Sequence, residues 1–218
     1  MFSIQIPKDG DWHGAGGEEF LQEILKVSAH HREAGRALVF SIILYSYSDA
    51  EFRRAITDEN YWSALNEASG HFMTVFVINT PLHNPRSPFE GHRYGNSRAA
   101  NGALSMLQES FRTDGALTVP CILFFQIEQD RVADGLCIPL TAQTVEGAYR
   151  EVRELVDSAT TSLSQLKPEN KDNAREIFNL VAHSVTSRAR TDAFIRWANK
   201  ARSVGAVAKI LAQLTGHG

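Results

Sequence analysis

The chain has 218 residues, of which 43% are hydrophobic and 22% charged, with a formal net charge of −3 and two cysteines. These values sit near globular averages, which excludes wholesale disorder, and the length suffices for one domain plus an extra element. The charge balance offers no general attraction to nucleic acid or anionic membrane, and two cysteines are too few for a disulfide scaffold or a thiolate zinc site.

The predicted elements begin with "FSIQI", an alternating run that stops at Pro7 and reads as a short strand. "DGDWHGAGG" is a glycine-rich connector. Its "GAGG" lacks the spacing of a nucleotide fingerprint. "EEFLQEILKVSAHHREAG" places Phe20, Leu21, Ile24, Leu25 and Val27 at helical spacing, with Gly35 as the stop. "ALVFSIILYS" is nearly all apolar, which suits a strand covered on both faces. A helix is expected over "SDAEFRRAITDENYWSALNEASG", capped by Ser48 or Asp49, with Phe52, Ile56, Trp62 and Leu65 on one face. "HFMTVFVINT" is a second buried strand.

A long polar insertion follows, "PLHNPRSPFEGHRYGNS", with His83, Arg86, His92 and Arg93. That group offers contacts for an anion or an acidic partner, and long loops without structure of their own are often functional. "RAANGALSMLQESF" reads as a third helix. "VPCILFFQIEQDRVADGLCIPL" reads as a hairpin turning near Gln129 and Asp130. "TVEGAYREVRELVDSATTSL" is a strong helix, capped by Thr141 or Thr144.

Beyond the linker-like "SQLKPENKDN", two further helices are expected, "AREIFNLVAHSVTSR" and "TDAFIRWANKARSVGAVAKILAQLTG", the second capped by Thr191. From residue 168 onward, eight Lys/Arg stand against four Asp/Glu, which leaves 14 against 21 in the first 167 residues. This apolar, basic tail either packs on the domain or meets another chain. Its exposed candidates are Phe194, Trp197, Ile210, Leu211 and Leu214. No apolar run approaches the roughly 20 residues of a bilayer span. The N-terminal "MFSIQIPKDGDWHG" has no signal-peptide layout, so a reducing cytoplasm is the expected compartment. None of the histidines makes a metal-ligand spacing, and neither a metal nor a cofactor is expected.

The order β-α-β-α-β-α-β-β-α, with "TVP" opening an apolar strand after the third helix, resembles the thioredoxin-like fold over about residues 2–165. The resemblance implies a three-layer α/β/α domain with a central mixed sheet over residues 1–165, and the helical spacing beyond it is expected to form a C-terminal helical extension over 166–218. It also implies a cis Val119–Pro120 bond beside the site where the family keeps a Cys-x-x-Cys. Proline suits a strand start, since it cannot donate to a central ladder.

At the family's dithiol position this chain has Tyr45, Ser46, Tyr47, Ser48 and Asp49, with no cysteine. Thiol–disulfide exchange needs an attacking thiolate and a resolving thiol, and serine replaces neither. The expectation is therefore a redox-inactive module that acts by protein–protein interaction. Its binding surface would comprise Tyr45–Asp49, Val119 and Pro120, together with the insertion. The alternative is a thiol- or glutathione-dependent enzyme that uses Cys121 or the Ser46, Tyr47 and Ser48 hydroxyls. Cys121 reads either as a reactive thiol or as a small core residue. Cys121 and Cys137 are equidistant from position 129, so a cross-strand disulfide is also open.

Overall fold

A computed structural model of the chain describes residues 2–5, 16–36, 38–45, 58–79, 120–128, 131–142, 144–167, 171–190 and 195–198. The first half supplies β1 (Phe2–Gln5), α1 (Gly16–Glu33), β2 (Val39–Leu44), α2 (Glu59–Ser69) and β3 (Met73–Asn79). The second supplies β4 (Cys121–Glu128), β5 (Arg131–Pro139), α3 (Val145–Ser164), α4 (Ala174–Arg188) and β6 (Ile195–Ala198). The strands form one mixed sheet in the order β1-β3-β2-β4-β5-β6. β1, β3 and β2 run parallel, whereas β4 is antiparallel to β2, β5 to β4 and β6 to β5.

The centre of the sheet follows from residue type. All six residues of β2 are buried, and seven of the eight in β4, as unbroken apolar runs require when both faces are covered. Phe40, Phe76 and Phe125 lie on neighbouring strands with ring centroids 5.8–6.3 Å apart, an aromatic cluster at the spacing such rings prefer.

Local signals end the helices. Gly35, at φ +68°, donates to Arg32 O (2.9 Å), and Arg36 donates to His31 O (2.7 Å). Together these make a Schellman stop for α1, which needs a left-handed residue. Thr144 is the cap of α3, its hydroxyl accepting from Gly147 N at 3.1 Å. Gly147 sits so close to Ala142 that a Cβ there would meet the alanine methyl at 2.7 Å.

Two expectations are corrected. The helix expected from Ser48 or Asp49 through residue 70 is not continuous. Asp58 is extended, and its carboxylate accepts from Asn60 N at 2.9 Å, so a helix starts at Glu59. Once an aspartate caps the backbone donors that follow it, the preceding turn cannot run through it. The helix expected from Thr191 is contradicted at Ile195–Ala198, which form β6 against the outer edge of β5. A ladder of backbone hydrogen bonds along that edge outweighs the helical spacing of the apolar residues, and isoleucine and tryptophan suit a strand. The expected third helix, the insertion and the rest of the tail lie outside the described residues.

Helix α4 shares the core of the sheet. Phe178, Val181 and Val185 of α4 are fully buried within the same hydrophobic cluster as β2 and β4. α4 lies against α3, where Ser158 and Ser184 bond reciprocally. Their hydroxyls are 2.7 Å apart, and each donates to the other's carbonyl (3.1 and 2.9 Å).

Gln126 joins the parts. It is fully buried at the end of β4, next to a bulge in the β4–β5 ladder. Its Oε1 accepts from Arg32 Nη2 (2.6 Å) and Ile127 N (3.2 Å), and its Nε2 donates to Leu38 O (2.8 Å) and Ala174 O (3.4 Å). Replacing it with leucine removes a hydrogen-bond partner from Leu38 O, Ala174 O and Arg32 Nη2. Gln126→Leu should therefore lower unfolding stability by about 1–3 kcal/mol in a urea titration, with the α1 and α4 ends losing hydrogen-exchange protection first.

A second prediction concerns pH. His31, half-buried, places Nδ1 2.7 Å from Thr74 Oγ1, and burial first, then neighbouring His30 and Arg36, lower its pKa from the ordinary 6.5. The unfolded chain then binds the proton more readily than the folded one, so stability falls as pH drops below 6.5, down to the folded-state value. His31→Gln should flatten that limb of the stability–pH curve, measured by denaturant midpoints between pH 7.5 and pH 5.

Candidate functional site

The end of the sheet at which β2 stops gathers the described members of the predicted surface. Leu44 pairs with Cys121, so Tyr45 and Pro120 stand one step beyond that pair on adjacent strands. Cys121 in turn pairs with Pro139, the last residue of β5, and Pro120 O accepts from Leu140 N at 2.9 Å. Backbone bonding thus fixes the start of β4 against the end of β5.

Two helix N-termini reach the same pole. α2 ends at Ser69, just before β3 begins at Met73, so it starts at the opposite end. α3 begins at Val145, soon after β5 ends. The two meet through Tyr61 and Tyr149, whose rings make an edge-on contact at 4.0 Å, while the Tyr149 hydroxyl donates to Tyr61 O at 3.3 Å. Burial raises the Tyr149 phenol above its ordinary value, which keeps it a neutral donor. Tyr61, Trp62 and Tyr149 are half-buried. Their sequence signal was an aromatic in the first turn of each helix, and it becomes visible only once both helices are known to start at one pole.

Of the predicted binding residues, Tyr45 is 1% exposed and Pro120 is half-buried. Tyr45 is therefore part of the core and not of a surface, because the buried run of β2 continues one residue past the strand. Ser46, Tyr47, Ser48, Asp49, Val119, His83, Arg86, His92 and Arg93 lie outside the described residues, as do Phe194, Ile210, Leu211 and Leu214. Trp197 lies within β6.

The cysteines are sealed. Cys121 is 0% and Cys137 1% exposed, and both are free thiols. A hydrogen bond with the Cys137 side chain, followed by burial, holds Cys121 well above the ordinary thiol range, the reverse of what a nucleophile needs. Cys137 pairs with Leu123, so the two cysteines are diagonal neighbours on one face of the hairpin. Such residues stand about 7–8 Å apart, beyond the roughly 6.8 Å at Cα that a disulfide tolerates.

A buried carboxylate closes the pole on the α3 side. Glu151, 4% exposed, accepts from Thr141 N (2.7 Å), Thr141 Oγ1 (2.6 Å) and Ala142 N (3.3 Å). It holds the β5–α3 connection as a cap would. Arg190, just past α4, reaches Glu154 at 2.9 Å and Glu151 at 3.7 Å. Among the described residues no group of three or more His, Cys, Asp or Glu is placed to hold a metal ion, and no helix is long and apolar enough to cross a membrane.

What the pole offers chemically is a set of half-buried aromatic rings, a proline at a strand start and two helix N-termini, with its only described thiol facing inward. Neither protein-family models, curated proteins nor solved structures give a match to this chain. In the native protein a thiol reagent should modify neither cysteine over minutes, and after denaturation it should titrate two thiols per chain. The count of two should survive prior exposure to a mild oxidant. Rapid labelling of Cys121 in the folded state, or a loss of two thiols on oxidation, would contradict this geometry.

Proposed function

We propose that this chain is a thioredoxin-like protein without dithiol chemistry, and that it acts as a protein-interaction module through the pole formed by the end of β2, Pro120 and the first turns of α2 and α3. The observation that carries the reading is the complete burial of Cys121 together with Cys137. No cysteine occurs between Tyr45 and Glu59, so no exchangeable thiol stands at the position where the resemblance expects one. Support for the fold comes from three parallel strands, β1, β3 and β2, followed by an antiparallel β4–β5 hairpin opened by a proline. Support for binding comes from the half-buried aromatic rings of Tyr61, Trp62 and Tyr149 at that pole, since aromatic residues are enriched at interaction surfaces.

The test joins an activity assay to a contact map. The protein should not accelerate reduction of insulin disulfides by dithiothreitol. A photo-cross-linking side chain placed at Tyr61 should give adducts with a discrete partner in a cell extract. The same group at Glu176, in the first turn of α4 at the other end of the sheet, should give none. Adducts of equal yield from both positions, or from neither, would sink the interaction reading. Glutathione binding by calorimetry that disappears in Ser46→Ala or Ser48→Ala would favour the enzyme reading instead.

A further inference from the structure

We draw no further inference here: the strongest candidate, the outer edge of β6 at the end of the sheet, has no neighbouring strand among the described residues, and nothing in the structure shows what covers it.

Discussion

The four hydrogen bonds of the Gln126 amide hold the molecule at one point. A primary amide has two donors and one acceptor oxygen, and here each finds a partner in a different segment: the end of α1, the entry to β2, the β4 backbone and the entry to α4. An amide buried at 0% exposure would cost stability if any partner were missing. Satisfied, it fixes four chain segments relative to one another. The arrangement also ties α4 to the sheet. Ala174 O, in the first turn of α4, is one of Gln126's acceptors, and the buried face of that helix follows from there.

The bulge beside Gln126 has a consequence at the far end of the hairpin. Glu128 pairs with Arg131 and Ile127 with Val132, but from Gln126 upward the register is displaced by one residue, so that Gln126 faces Asp134. The turn is centred between residues 129 and 130, not on 129, and that half-step together with the bulge moves Cys137 two positions from Cys121. A shift of one would have put the sulfurs on opposite faces. A shift of two leaves them on the same face as diagonal neighbours, close enough for the thiols to interact and too far apart to join. The ladder thus keeps the two cysteines off the directly opposed positions.

Much of this fold was legible because the signals were local. β2 and β4 are written as unbroken apolar runs, Gly35 marks a helix stop, and Thr144 precedes a strong amphipathic pattern. What could not be read depended on distant partners. Ile195–Ala198 carry a spacing compatible with a helix, and only the open edge of β5 makes them a strand. Asp58 looks like one acidic residue in a polar run until its carboxylate is seen to accept from Asn60. Glu151 lies on the buried side of α3, where a carboxylate is unexpected, and its reason lies in the Thr141 and Ala142 amides ten and nine positions earlier. At the candidate site the same rule holds. Pro120 was legible as a strand opener, Tyr45 was misplaced on a surface by its neighbours' polarity, and the Tyr61–Tyr149 contact spans 88 residues.

The two ends of the sheet differ in what constrains them. At the Gln126 end, buried polar groups from four segments close on one another, so a substitution there acts on stability. At the opposite pole the register is already set by strand pairing up to Leu44–Cys121 and Cys121–Pro139, and Glu151 secures the connection that leaves β5. That pole is held by the described strand ladders and by Glu151. On the proposed reading, this is how a chain can dispense with the thiols at that position and keep the fold. The sulfurs would have supplied chemistry, whereas the platform rests on backbone ladders, a buried carboxylate and an amide at the other end. On that reading the partly exposed rings of Tyr61, Trp62 and Tyr149 are the part of the pole that aromatic contact with a partner would use.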